Sequence, residues 1–102
     1  PVVVPSRPED GFKITPPALE AAITPRTKWL IINSPCNPTG ALISEEALIA
    51  IADVAAKRGL WLVGDLTYEK LIYEPGPENL VRVLTDRLRD RSIICSASPA
   101  RK

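Results

Sequence analysis

Three short apolar runs constrain the fold of this chain more than any other feature. They are Lys28–Ile32, Leu60–Val63 and Ser92–Cys95, and turn-forming residues bound each of them. The first two runs are typical of strands that are buried on both faces, as in a parallel sheet, and the third indicates a further short strand. The spacing between them leaves room for helices, which predicts βαβ units with right-handed crossovers. The expected fold class is therefore α/β with a mostly parallel sheet.

The clearest predicted helix lies between the first two runs. Ser44 is a suitable N-cap, and Glu45 and Glu46 follow it, where negative charge favours the positive end of the helix dipole. Apolar residues then recur at helical spacing until Gly59, a residue that commonly ends a helix. We therefore expect one amphipathic helix between these two strands.

Weaker signals predict the remaining elements. Thr15 precedes two prolines and a short apolar stripe, which indicates a helix that ends before Pro25. Residues Leu80–Leu88 indicate another helix, with the arginines in and after it on a solvated face. The β-branched run Val2–Val4 predicts an additional strand, and Ser6–Thr15 predicts a loop.

Composition excludes several classes of function. The net charge of +1 gives no electrostatic surface for nucleic acid or an anionic membrane, and no apolar run reaches the roughly 20 residues of a membrane span. Without histidine, neither a Ser-His-Asp triad nor a Cys-His dyad can form, and Cys36 and Cys95 lack metal-ligand spacing. We therefore expect no metal site. We also expect the two thiols to be reduced and the protein to be cytoplasmic. The absence of methionine suggests an internal piece of a longer protein.

Polar segments follow each of the three predicted strands. They are Asn33–Gly40, Asp65–Tyr68 and Ser96–Ser98. In sheets of this kind, ligands bind beyond the carboxyl ends of the strands, so these segments are expected to converge on one site. Asp65 can alternatively be a turn former, and Asn33–Gly40, whose two Xaa-Pro bonds can be cis, can simply connect a strand to a helix.

Two of these segments together resemble a known family. Asn33-Ser-Pro-Cys-Asn-Pro-Thr-Gly40 resembles the NxPxNPTG motif of class I/II aminotransferases, and Asp65-Leu-Thr-Tyr68 resembles the D-x-x-Y segment of the same family. The two stand in the family's order and separation. The resemblance implies that residues 1–102 form part of the large, cofactor-binding domain, a three-layer αβα fold. The implied cofactor is pyridoxal 5'-phosphate (PLP).

The resemblance also assigns roles to single residues. Asn37 and Tyr68 match the family residues that hydrogen-bond the 3-oxygen of PLP, and Asp65 matches the carboxylate that pairs with the protonated pyridine nitrogen. A carboxylate at that nitrogen keeps the ring protonated, which the ring needs to accept electrons. Ser96 and Ser98 correspond to serines that contact the cofactor phosphate.

The C-terminal end departs from the family pattern. Pro99 follows Ser98 where the family places its Schiff-base lysine, and Lys102 arrives a few residues later. Lys102 is therefore either the displaced catalytic lysine or a solvated residue.

The implied function is transfer of an amino group between an amino acid and a 2-oxo acid, by a parent protein that is expected to be a homodimer. Alternatives are a PLP-dependent lyase of the same fold and a non-catalytic relative that serves as a binding or assembly module. A generic nucleotide-binding domain is disfavoured because the chain contains no GxGxxG or GxxxxGK[ST] loop.

Overall fold

Helices and strands alternate along the chain. The computed structural model describes residues 1–67 and 79–95. In order, the elements in these ranges are a 3-10 helix (Pro8–Asp10), α1 (Pro16–Ala22), β1 (Trp29–Asn33), α2 (Glu45–Arg58), β2 (Trp61–Asp65), α3 (Asn79–Arg87) and β3 (Ser92–Cys95). The predicted helices and the three predicted sheet strands are present within one or two residues of their expected bounds. The 3-10 helix lies within the segment that was expected to be a loop.

The strands of the described residues form one parallel sheet in the order β1-β2-β3. The register pairs Asn33 with Asp65, and Asp65 in turn with Cys95. All three strands therefore end on one line at the carboxyl edge of the sheet. The α/β class and the parallel sheet are confirmed, and the described residues form part of a three-layer αβα domain.

Helix α2 begins and ends at the predicted residues. The Ser44 hydroxyl accepts a hydrogen bond from the backbone N–H of Ala47 at 3.2 Å, which satisfies one donor of the first turn. Gly59 ends the helix in the left-handed conformation, with φ of 66°. At α1, the Thr15 hydroxyl accepts from the backbone N–H of Ala18 at 3.4 Å. Side-chain caps therefore define where both helices start.

We expect Gly59→Ala to lower the free energy of unfolding by about 1–2 kcal/mol or more, measured by urea denaturation. The left-handed backbone at φ +66° disfavours any Cβ, and a Cβ built there meets Nη1 of Arg91 at 2.9 Å. Arg91 would have to move away from its 2.7 Å hydrogen bond to the Gly59 carbonyl. Gly40→Ala is the matched control, because Gly40 has φ of +69° and nothing within 4 Å of its built Cβ. Equal losses in the two variants would contradict a role for Arg91.

The hydrophobic core lies on one face of the sheet. Inward-facing strand residues and apolar residues of all three helices are buried there, including Leu19, Leu30, Ile32, Leu48, Ile51, Leu62, Val83 and Leu84. On the opposite face, Trp29 is 52% exposed and Ile31 is 73% exposed. The prediction that β1 and β2 are buried on both faces is therefore wrong for the described residues, because the helices among them cover only one side.

The predicted strand Val2–Val4 is also wrong. Val2 and Val3 are 75% and 85% exposed and lie outside the sheet. A β-branched run becomes a strand only where a neighbouring strand supplies hydrogen-bond partners, and this segment pairs with none of the strands among the described residues.

Two arginines of α3 join this helix to α2. Arg82 pairs with Glu45, and Arg87 donates to Asp53 at 2.6 Å. Both arginines are exposed, as expected for a solvated face, but they also pair with carboxylates of the neighbouring helix. Exposed pairs of this kind contribute up to about 1 kcal/mol each. They orient α3 on α2 more than they stabilise the fold.

Candidate cofactor site at the carboxyl edge of the sheet

The candidate site lies where the three strands end. Asn33, Asp65 and Cys95 are neighbours across the sheet, and residues in register in a parallel sheet point to the same face. Because side chains alternate along each strand, this is also the face that carries Ile31 and Val63, which the helices leave open. A carboxylate, an amide and a thiol therefore project from one line toward the open face.

The loop that follows β1 has a defined shape. Both Xaa-Pro bonds, Ser34-Pro35 and Asn37-Pro38, are cis. The backbone N–H of Gly40 donates to the carbonyl of Cys36 at 2.7 Å, and the N–H of Cys36 donates to the carbonyl of Ala41 at 3.0 Å. These bonds close the loop on itself, as the dense proline and glycine content of the motif predicts.

Asn33 and Ser34 fasten this loop to its surroundings. The Asn33 Oδ1 accepts from the backbone N–H of Asn37 at 3.0 Å, which fixes the backbone of the residue expected to face the cofactor. Ser34 is 8% exposed, and its hydroxyl accepts from the N–H of Ile43 at 3.1 Å. The Asn33 amide and the Ser34 N–H both approach the Asp65 carbonyl at 3.4 Å, which is long for a hydrogen bond. The loop and the end of β2 therefore hold one another.

Asp65 is held by Thr67. The Thr67 hydroxyl donates to Oδ1 of Asp65 at 2.6 Å, and the Thr67 backbone N–H donates to the same oxygen at 3.0 Å. The hydroxyl bond and then the backbone bond hold the pKa of Asp65 below its ordinary value of 3.8, while burial acts in the opposite direction. Asp65 is half-buried and ionised at neutral pH.

Two of the predicted site residues are described, and four are not. Asp65 ends β2, and the exposed side chain of Asn37 lies in the loop after β1, so both belong to the carboxyl edge. The other four lie outside the described residues; they are Tyr68, Ser96, Ser98 and Lys102. The expected convergence of segments is therefore confirmed for the ends of the strands themselves.

Sequence reasoning missed the supporting residues. Asn33 and Ser34 lie inside the NxPxNPTG motif, but the resemblance to the family assigns a role only to Asn37. Thr67 carried a readable signal, since an Asp accepts readily from the backbone N–H two residues later and a hydroxyl there can add a second bond. These residues contact the protein groups that are expected to bind the ligand, and they do not contact the ligand itself. The chemistry of the ligand alone therefore does not identify them.

The arrangement offers a fixed carboxylate and a rigid amide-bearing loop. Within residues 1–67 and 79–95, no cluster of three or more metal-ligating side chains is present. No helix in that part of the chain has the length and apolar character needed to cross a membrane. An ionised carboxylate beside amide groups suits an organic ligand with a cationic group and an acceptor oxygen.

Known proteins are similar to this chain in both sequence and fold. The sequence pattern of the family described as aminotransferase class I and II matches residues 1–98. The aspartate/prephenate aminotransferase of Cereibacter sphaeroides is 42% identical over 97 residues, covering 94% of this chain. A solved double mutant of Thermus thermophilus aspartate aminotransferase is 40% identical with a TM-score of 0.83 over 93% of the chain. An aromatic aminotransferase structure from Pyrococcus horikoshii is 36% identical with a TM-score of 0.85 over 94% of it.

These relatives are much longer than this chain. The match covers 24% of the Cereibacter protein, and 24% and 26% of the two solved chains. The residues matched by the family include every described helix and strand of this chain, and with them the carboxyl edge and its two motifs. The chain belongs to the aminotransferase class I and II family.

Proposed function

We propose that residues 1–102 are part of the large domain of a PLP-dependent aminotransferase. The whole protein would move an amino group between an amino acid and a 2-oxo acid. Because the chain spans about a quarter of the length of its relatives, it is expected to be incomplete for this reaction alone. PLP, when bound, supplies an electron sink for the bond broken at the substrate.

The observation that carries this proposal is the state of Asp65. Both Thr67 hydrogen bonds go to Oδ1, and Oδ2 accepts none from the residues that the structure describes. An ionised carboxylate whose second oxygen, here Oδ2, has no such bond can accept one from a protonated ring nitrogen. The residues present therefore fit the pyridine end of the cofactor.

The remaining site residues are assigned by their place in the motifs. Asn37 and Tyr68 would donate to the 3-oxygen of the ring, and the 3.0 Å bond from the Asn37 backbone to Asn33 supports a fixed position for the first of them. Ser96 and Ser98 would donate to the phosphate, since they follow β3 in the sequence, where the family has serines that contact this group. Lys102 would carry the cofactor covalently.

The setting of the protein is part of the proposal. We place it in the cytoplasm, because its two cysteines, Cys36 and Cys95, are free thiols. We expect the full-length protein to form a homodimer, as the resemblance to the family implies. The homodimer assignment rests on the family and not on contacts within this chain.

The proposal is tested by mixing the chain with PLP, reducing with borohydride, and mapping pyridoxyl adducts by mass spectrometry. We expect a saturable adduct on Lys102 that Lys102→Ala removes. Lys57→Ala is the matched control, because Lys57 is an exposed lysine in the last turn of α2, and it should leave the adduct unchanged.

The adduct distribution also separates the alternatives. Equal labelling of Lys13, Lys28, Lys57 and Lys70 would show chemical modification without a site. That result would favour the non-catalytic relative, which the Pro99 after Ser98 already suggests.

A further inference from the structure

Thr67 makes two hydrogen bonds to a single oxygen of Asp65. Its hydroxyl lies 2.6 Å and its backbone nitrogen 3.0 Å from Oδ1. The 2.6 Å separation is in the range of a charge-assisted O–H···O⁻ bond, which is stronger than a neutral one. The side chain of Thr67 is itself exposed, so this bond does not arise from packing of its methyl group in the core.

These two bonds restrict how the carboxylate can turn. The last torsion of an aspartate is broad, so an unheld carboxylate can turn the plane of its two equivalent oxygens through a wide range of angles. Rotation of Asp65 would break both bonds from Thr67 at once. Oδ1 is thereby kept toward Thr67, and Oδ2 is kept away from it.

We propose that Thr67 is a positioning residue for Asp65, holding Oδ1 so that Oδ2 is the oxygen presented to the cationic nitrogen of the ligand. The assignment of that ligand rests on the function proposed above. The hold on Oδ1 does not, because it is a property of the chain without any ligand.

The hydroxyl is the part of this hold that depends on the side chain. A backbone N–H is present at this position for every residue except proline. Thr67→Val keeps the shape and the backbone donor but removes the hydroxyl. Thr67→Ser keeps the hydroxyl and removes only a methyl group.

The two hydrogen bonds from Thr67 also affect how the stability of the fold depends on pH. Because the folded-state pKa of Asp65 lies below its ordinary value of 3.8, Asp65 contributes stability that is fully present above that value. The contribution is lost as the pH falls through the folded-state pKa. In Thr67→Val the pKa moves up toward 3.8, so the contribution is smaller at every pH above that value.

The experiment is an NMR titration of the Asp65 carboxyl carbon in the PLP-free chain. We expect Thr67→Val to raise the pKa of Asp65 and Thr67→Ser to leave it at the wild-type value. Thr85→Val is the matched control, because Thr85 is an exposed threonine on α3, and it should change nothing. Amide spectra of all variants establish that each is folded as the wild type is.

Two outcomes would overturn the proposal. One is an unchanged Asp65 pKa in Thr67→Val, and the other is an equal rise in Thr67→Ser, which would assign the effect to packing. PLP titration of the same samples tests the function separately. A raised pKa in a chain that never binds PLP would sustain the hold on Oδ1 and reject the cofactor assignment.

Discussion

Leu62→Ala is expected to lower the free energy of unfolding by about 2–5 kcal/mol, measured by urea denaturation. Leu62 is fully buried, with 0% exposure, and it lies on the central strand of the described sheet. Truncation removes apolar contact and leaves a cavity that rigid neighbours cannot fill. Small domains have only about 5–15 kcal/mol of stability in total, so this one change would remove much of it.

The matched control for this change is Ile31→Ala. Ile31 lies on the neighbouring strand β1 and loses a side chain of the same size, but it is 73% exposed on the open face. Exposed substitutions of this kind usually change stability by no more than about 0.5 kcal/mol. Similar losses in both variants would mean that the open face is covered in solution, for instance by association of chains.

Asp65→Asn is expected to weaken PLP binding by about tenfold or more, measured by absorbance titration. A hydrogen bond to a charged group contributes about 1.5–3 kcal/mol, and each 1.4 kcal/mol is a factor of ten. The half-exposed setting of Asp65 favours the lower part of that range. Asparagine keeps the size of the side chain and an oxygen for Thr67, so the substitution removes mainly the negative charge.

Asp86→Asn provides the control for net charge. Asp86 is exposed on α3, away from the carboxyl edge, and its substitution changes the net charge of the chain by the same amount. We expect its PLP affinity to match that of the wild type. If Asp65→Asn binds PLP as tightly as Asp86→Asn does, Asp65 is a turn former and not a ligand of the cofactor.

Local signals predicted most of the fold. Helix α2 begins after Ser44 and ends before Gly59, as expected. Capping depends on a few neighbouring backbone groups, so adjacent residues in the sequence are enough to predict it. The run Ser92–Cys95 is a strand over its whole predicted length. Parallel pairing followed from alternation of strands with helices, which permits few other topologies.

The predictions that were wrong concern strand pairing and burial, which depend on residues distant in the sequence. Val2–Val4 has the composition of a strand, but pairing depends on what lies beside it. Likewise Ile31 and Leu62 are both apolar strand residues, and only the position of the helices leaves one open and buries the other.

The site was predicted in part for a related reason. Asp65 and Asn37 stand in motifs, which made their assignment to the carboxyl edge possible. The 3.0 Å bond that ties Asn33 to the Asn37 backbone and the contact of Asn33 with the Asp65 carbonyl depend on the loop's path and the strand register. These follow from three-dimensional geometry that spacing alone does not give.

The register of the strands limits which insertions and deletions this family segment can accept. Because side chains alternate across a strand, loss of one residue inside β2 would turn Asp65 toward the helix-covered face if the pairing of the strand's start were kept. A length change in the turn between Arg87 and Ser92, at the opposite end of the strands, leaves the alternation untouched. Insertions and deletions in the turns at the amino ends of the strands are therefore compatible with the site. Insertions and deletions inside the strands are not.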